Sequence, residues 1–156
     1  MKKLLTIYLL IATAFTSITY SQEKFNNNEI EFLQKIANNS SFNTIKKFME
    51  ENNYSFTEDY EDENCSGYSF NNKKGYVSIA YTSSQKLAII ILTVPTLSIS
   101  FSEQALKNNN FKSIKKDEEI LMWKKDNYSY QFLTEKSDDP AGTLMLMTKE
   151  YEHYIK

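Results

Sequence analysis

Two short phrases recur in this chain and divide it into two similar parts. ENNYSF, at residues 51–56, and KNNNFKS, at residues 107–113, each end an amphipathic segment with asparagines and then begin an extended segment with an aromatic residue. Asparagine tolerates the left-handed backbone conformation that closes many helices, so each phrase predicts a helix end followed by a strand. The sequence therefore predicts two tandem repeats, at about residues 28–95 and 100–150.

The first repeat begins with two predicted helices. Residues 28–37 carry apolar side chains at helical spacing, namely Ile30, Leu33, Ile36 and Ala37. Ser41 is in position to cap a second helix, which the asparagines of the first phrase end. Extended segments follow at residues 54–60, 66–71, 76–82 and 87–94. Gly75 closes the turn before the third segment, where a hairpin favours positive φ. The last segment, LAIIILTV, is apolar on both faces, which predicts a central strand buried on both sides.

The second repeat has one predicted helix, at residues 103–109. Ser100 stands at capping-box distance from Glu103, and Ser102 is an equally good N-cap. Extended segments follow at residues 111–116, at 119–125, around the alternating Tyr128, Tyr130 and Phe132, and at 143–149. The aromatic and apolar positions of the repeats match as follows: Met49 with Leu106, Tyr54 with Phe111, Phe70 with Trp123, Tyr81 with Phe132, and Ile89 with Leu144.

One such repeat has an apolar face that it cannot cover well by itself. Two repeats side by side can extend one antiparallel sheet, or they can pack sheet against sheet. We therefore predict a single α+β domain over residues 22–156. In it, two helix-plus-antiparallel-strand repeats form one sheet system with the helices packed on one side.

The first 21 residues have the features of a bacterial secretory signal peptide. Two lysines follow the initiator methionine, residues 4–15 are apolar, and the small residues Thr19 and Ser21 precede a cleavage site before Gln22. The apolar run is shorter than the ~20 residues that a membrane-spanning helix needs. We therefore expect a secreted or periplasmic protein with no stable membrane anchor after cleavage.

The composition excludes several classes of partner and chemistry. All 18 basic residues are lysine, and the pI is near 5.5, which weighs against binding to nucleic acid because arginine usually makes those contacts. Cys65 is the only cysteine, so no disulfide can form within the chain. We interpret Cys65 as a half-buried strand residue, the alternative being a reactive or intermolecular thiol.

No constellation of residues in the sequence points to catalysis. The single histidine, His153, lies near the C-terminus, and no nucleophile motif, zinc motif or phosphate-binding glycine loop is present. The acidic run at residues 58–64 could bind calcium, but it lacks the spacing of a calcium loop. We interpret it as a solvated edge whose charges discourage edge-to-edge pairing. The sequence thus predicts no enzyme activity, no cofactor and no metal site.

The aromatic residues of the middle strands are the candidates for binding a partner: Tyr68, Phe70, Tyr81, Trp123, Tyr128 and Tyr130. One sheet face must pack on the helices, yet Met145 and Met147 alternate with Leu144 and Leu146, so both faces are apolar in places. Either the repeats cover each other or an apolar patch stays exposed, and exposed patches mark binding surfaces. We expect Trp123 on the buried face; if its face is exposed, it becomes the first candidate for binding.

A helix pair followed by four antiparallel strands, given twice in tandem over residues 28–150, resembles the β-lactamase inhibitor protein family. The resemblance is one of element order, without a shared motif. It departs from that family in two ways, since the second repeat lacks a first helix and this chain cannot form the disulfides on which the family depends. The resemblance implies a non-catalytic role in binding another protein, of an inhibitor, immunity or envelope accessory type. The alternative is a periplasmic binder of a small apolar ligand, and an enzyme is the third possibility.

Overall fold

Eight strands form one continuous antiparallel sheet. The computed structural model describes residues 24–39, 41–61, 63–73, 75–137 and 140–151, so the predicted signal peptide and His153 lie outside the described residues. The strands are β1 Ser55–Glu61, β2 Cys65–Asn72, β3 Gly75–Thr82, β4 Leu87–Pro95, β5 Lys112–Lys115, β6 Ile120–Lys124, β7 Gln131–Glu135 and β8 Ala141–Met147. Their order across the sheet is β1-β2-β3-β4-β8-β7-β6-β5. β1–β4 and β5–β8, one in each predicted repeat, are thus four-stranded meanders, and the pairing of β4 with β8 joins the two into one sheet.

In the described chain, the helices α1 Asn28–Ala37, α2 Phe42–Glu51 and α3 Thr96–Asn108 lie on one side of this sheet. Asn27 caps α1 by accepting the backbone N–H of Ile30 at 2.9 Å, and Ser41 caps α2 as predicted. α1 packs on the central strands β4 and β8, α2 packs beside β1, and α3 packs on β8, β4 and β7. The predicted α+β class, with helices on one side, is confirmed.

The two asparagine-rich phrases form helix ends of the same geometry. Asn53 and Asn110 each have a φ of 63°. The residue after Asn53 donates its backbone N–H to the carbonyl of Met49 at 2.9 Å, and the residue after Asn110 donates to the carbonyl of Leu106 at 3.0 Å. These bonds satisfy carbonyl groups that every helix leaves unpaired at its end. The same local chemistry therefore ends α2 and α3.

Strand register corrects two of the matches drawn between the repeats. Phe70 pairs with Val77, and Trp123 pairs with Phe132. With Phe70 and Trp123 taken as equivalent, Val77 rather than Tyr81 corresponds to Phe132. The shift arises because the turns differ in length: Phe70 and its partner are seven residues apart in sequence, whereas Trp123 and its partner are nine apart.

The match of Ile89 with Leu144 is also wrong. Leu144 packs in the core on the helix side, whereas Ile89 lies in the apolar cluster on the other side. A slip of one residue moves a strand side chain to the opposite face, so these two cannot be equivalent. In the observed register Ile91 and Met145 take equivalent places and also pair with each other.

α3 begins at Thr96, earlier than the predicted start at Glu103. Its first seven residues include three serines, one threonine and one isoleucine, which have modest helix propensity, so a capping box at Ser100 was the stronger local signal. Ile99 and Ser102 are fully buried in the structure. Burial of this face stabilises the additional helical turns, and Pro95 ends β4 directly before them, as predicted.

Gly75 does not adopt the predicted positive φ. Among the described residues, positive φ occurs instead at Asn53, Gln85, Asn110 and Asn127. A Cβ atom at Gly75 would lie 2.4 Å from the carbonyl oxygen of Thr93, so close backbone approach is what requires glycine there.

Tyr128 and Tyr130 precede β7 rather than belonging to it. The Tyr128 hydroxyl accepts a hydrogen bond from the Gln34 side chain, and the Tyr130 hydroxyl donates to the Asn38 side chain at 3.3 Å. These bonds to α1 and to the residue that ends it hold both tyrosines on the helix side.

The residues just before α1 complete the core of the second repeat, where the sequence has no first helix. Phe25 is fully buried, and its ring centroid lies 5.8 Å from that of Phe111, 6.0 Å from Phe132 and 6.5 Å from Tyr128. The N-terminal segment thus fills part of the space that a helix would occupy.

Candidate protein-binding face of the sheet

Side chains of the sheet point alternately to its two sides. We call the side opposite α1, α2 and α3 the open face; of the described residues after β8, Tyr151 packs against its apolar cluster. The helix side contains most of the buried core, including Phe70, Trp123 and Phe132. The open face has a smaller apolar cluster in which Ala80, Ile89 and Met147 are buried.

One row of apolar side chains crosses the open face on five adjacent strands. We call this row the apolar strip; from β4 to β5 it consists of Ile91, Met145, Leu133, Met122 and Ile114. Each member pairs directly with the next. The first four are half-buried, and Ile114 is 45% exposed. A continuous row of partly exposed apolar side chains, most of them in the second repeat, is an unusual feature for a sheet face on which none of α1, α2 and α3 packs.

The first-repeat half of the open face is different in character. It consists of small residues overlaid by two tyrosines of the same chain. A Cβ atom at Gly67 would lie 2.3 Å from the ring of Tyr60, and the hydroxyls of Ser69 and Tyr76 are 2.7 Å apart. The tyrosines therefore close this half of the face themselves and leave the apolar strip as the accessible apolar area.

Lysines stand beside the exposed end of the strip. Lys112 and Lys124 pair across β5 and β6 on the open face, in the register position next to Ile114 and Met122. Glu58, in β1, lies at the opposite end of the row that contains the apolar strip. The face therefore carries positive charge at the second-repeat edge, where the apolar strip is most exposed.

The residues predicted to bind a partner all lie on the helix side. Phe70 and Trp123 are fully buried, and the four tyrosines are partly buried against the core: Tyr68, Tyr81, Tyr128 and Tyr130. Burial raises the pKa of Tyr130, and burial followed by the neighbouring Tyr68 raises the pKa of Tyr81 to about 12. The role of the six in binding stays a prediction, and Phe70 and Trp123 present no surface to a partner in this structure.

The sequence contained a signal for the open face, but it was ambiguous. Met122 and Met145 alternate with Trp123 and Leu144, so two apolar faces were visible. The expectation that the larger aromatic set marks the buried face is confirmed by Trp123. Only the position of the helices shows which of the two faces remains uncovered.

A buried carboxylate is engaged in the core. Glu103 Oε1 accepts a hydrogen bond from the Thr134 hydroxyl at 3.1 Å, and Glu103 Oε2 forms a 2.7 Å ion pair with Lys136. The Thr134 hydroxyl in turn accepts the indole N–H of Trp123 at 2.9 Å. This chain of bonds joins α3 to β6 and β7, and it satisfies groups that would be costly to bury alone.

The acidic run falls mostly in β1, which is an edge strand of the sheet. Across the residues that the structure describes, no three His, Cys, Asp or Glu side chains are grouped so as to hold a metal ion. Cys65 is the first residue of β2 and is more buried than predicted, with 8% of its surface exposed. The interpretation of the acidic run as a solvated edge stays a prediction.

Comparison with known proteins gives no relative from which a function could be transferred. No protein-family model, no curated protein and no solved structure matches this chain. In the described part of the chain, none of the helices has the length and apolar character needed to cross a membrane.

Proposed function

We propose that this protein is a small exported, non-catalytic module that binds another protein, as an inhibitor, an immunity factor or an envelope accessory does. The apolar strip on the open face makes the contact. The observation that supports this proposal is the continuity of the strip over five adjacent strands, on the sheet face that α1, α2 and α3 do not cover.

Burial of the strip supplies the driving force for binding. Removal of apolar surface from water stabilises a complex by roughly 25 cal/mol per Å² before the costs of association. Two of the five strip residues, Met122 and Met145, are unbranched, and methionine adapts its shape to a partner. A sheet face built in this way can match an apolar surface without rearrangement of its own backbone.

The flanking lysines give the contact an orientation. Lys112 and Lys124 lie beside the exposed end of the strip and would lie at the rim of the interface, where charges set specificity and association rate more than affinity. A partner is therefore expected to present carboxylates next to its own apolar surface. Binding should weaken as salt screens these charges.

A pair of matched variants tests the proposal. Ile114→Glu places a charge on the exposed end of the strip. Phe101→Glu makes the same kind of change on α3, where Phe101 is 63% exposed on the helix side. Each purified variant and the wild type is immobilised and exposed to the envelope fraction of the source cells, and bound proteins are quantified by mass spectrometry. The dominant partner is then purified, and its affinity is measured directly by calorimetry.

We expect one protein to be enriched by the wild type and by Phe101→Glu, with its affinity lowered at least tenfold by Ile114→Glu. Circular dichroism confirms that both variants are folded. If both substitutions lower the affinity equally, or if only Phe101→Glu abolishes binding, the partner does not bind at the open face. Tyr130→Ala is the third variant. Loss of binding in this variant would indicate that the helix-side tyrosines contact the partner instead. Failure of every protein to bind specifically at micromolar concentration would refute a protein-binding role.

Export is tested separately by intact-mass measurement. The protein produced with its full N-terminus should be recovered outside the cytoplasm with a mass that corresponds to a start at or near Gln22. Retention of residues 1–21 in the membrane fraction would contradict the proposed cleavage.

A further inference from the structure

A cleft of about 480 Å³ lies on the helix side of the sheet, away from the open face. It is bounded by α1, by the end of α2, and by the ends of β2 and β4. Its floor is aromatic: the ring centroid of Phe32 lies 5.4 Å from that of Phe48 and 5.6 Å from that of Tyr54, with Phe32 and Tyr54 stacked. A volume of this size lies within the range of natural ligand sites.

The residues at the far wall are held in place by their own hydrogen bonds. Asn72 accepts the backbone N–H of Gly75 at 2.9 Å and also bonds the Tyr54 hydroxyl. The side chain of Asn52 donates to the carbonyl of Phe48 at 2.8 Å. Desolvation by burial raises the pKa of Tyr54, and its hydroxyl is protonated at neutral pH, as that of any tyrosine is. This wall is therefore preorganised.

The opposite wall is polar and its side chains are uncommitted. Asn28, Glu31 and Lys35 follow one another on the face of α1 that lines the cleft, and Glu29 lies beside them. Within the described structure, the side chains of Glu29, Glu31 and Lys35 form no hydrogen bond or ion pair. Together with Asn28, these residues offer an amide, carboxylates and an ammonium at successive turns. The Cβ atoms of residues three or four apart on a helix are about 5–6 Å from each other.

We infer that this cleft binds a neutral saccharide of two or three rings. A sugar ring has an apolar C–H face, which packs on aromatic rings, and an edge of hydroxyls, which both donate and accept hydrogen bonds. The aromatic floor and the mixed polar wall match these two surfaces. Two carboxylates and one ammonium leave little net charge, which disfavours an anion, and the polar wall disfavours a purely apolar ligand.

The site is independent of the proposed protein-binding face, because the sheet separates them. Its test therefore succeeds or fails without reference to a protein partner. The folded protein, labelled with ¹⁵N, is titrated separately with cellobiose, maltose and N,N′-diacetylchitobiose while its backbone amide signals are recorded. A dipeptide, glycyl-tyrosine, forms a further arm because a zwitterion could pair with Glu31 and Lys35.

We expect at least one of the three saccharides to shift, in a saturable way, the amide signals of residues 28–35 and 52–54. Glu31→Ala should weaken that binding about tenfold, the effect of losing a hydrogen bond to a charged group. Glu118→Ala, in the exposed turn between β5 and β6, should leave binding unchanged. No saturable shift with any of the three saccharides at tens of millimolar would overturn the inference. So would shifts confined to the open face, or saturation of the cleft signals by the dipeptide alone.

Discussion

Thr134→Val gives a quantitative test of the core, because two hydrogen bonds pass through the Thr134 hydroxyl. It accepts from the Trp123 indole and donates to the Glu103 carboxylate, and all three residues are buried. Valine replaces the hydroxyl with a methyl group of similar size, so the packing hardly changes. The buried indole N–H and one carboxylate oxygen of Glu103 then have no partner at this position.

The expected loss follows from these two groups. A buried polar group left without its partner costs about 1–3 kcal/mol, and a charged one costs more. Lys136 still donates to the other oxygen of Glu103 at 2.7 Å, which limits the loss at the carboxylate. We expect Thr134→Val to lower the free energy of unfolding by about 2–4 kcal/mol.

A double-mutant cycle separates the two bonds. Trp123→Phe removes the indole N–H and some ring volume, but it leaves the Thr134 hydroxyl free to donate to Glu103. The Trp123–Thr134 bond is missing in both single variants, so the double variant should lose about 1 kcal/mol less than their sum. Unfolding in urea is followed by far-ultraviolet circular dichroism, because Trp123→Phe removes the only tryptophan.

Thr143→Val is the matched control. Thr143 is half-buried on the open face of β8, and its side chain forms no hydrogen bond within the described structure. We expect its effect to stay within about 0.5 kcal/mol. An effect of Thr134→Val as small as that of the control, or strict additivity in the cycle, would refute the bonded arrangement of Trp123, Thr134 and Glu103.

Four further predictions concern other parts of the fold. Phe25→Ala should lower the free energy of unfolding by about 3–5 kcal/mol, measured in urea, because it empties a fully buried aromatic site; a small loss would show that the N-terminal segment is not part of the core. Gly67→Ala should cost about 1–3 kcal/mol, since the new Cβ would meet the Tyr60 ring and a backbone oxygen of β3 at 2.4 Å; an unchanged thermal midpoint would contradict this. Cys65→Ser should leave folding and the oligomeric state under non-reducing conditions almost unchanged, because no disulfide within the chain exists to be lost and the thiol is buried; a thermal midpoint many degrees lower, or loss of a dimer, would contradict this. The raised pKa of Tyr81 stabilises the folded protein fully below the ordinary value of 10.0. That contribution is lost as the pH rises from there towards about 12, so Tyr81→Phe should flatten the fall in stability over this interval.

Local sequence signals were sufficient for most element positions. The caps at Ser41 and the asparagine-rich helix ends depend on side chains within a few residues of the backbone groups that they satisfy. The strands likewise follow from alternation and from turn residues. Where the local signal was misleading, a distant contact was responsible: Ile99 lengthens α3 by packing on the sheet, and α1 holds Tyr128 outside β7.

The candidate site was predictable only in part. The alternation of Met145 with Leu144 and of Met122 with Trp123 is enough to indicate two apolar faces. The polar wall of the cleft, in contrast, has no recognisable motif. Its residues come from α1, the end of α2 and the ends of two strands, which only the packed helices bring together.

The sequence by itself determined the periodicities, the helix ends and the pairs of side chains that share a face, because these depend on neighbours along the chain. Tertiary structure decided which face the helices cover, that β4 and β8 join the repeats into one sheet, and that Phe25 enters the core. Each of these depends on free energy shared between residues far apart in sequence. Which side chains of a strand share a face is a local property, but which of the two faces is buried depends on the packing of the whole fold.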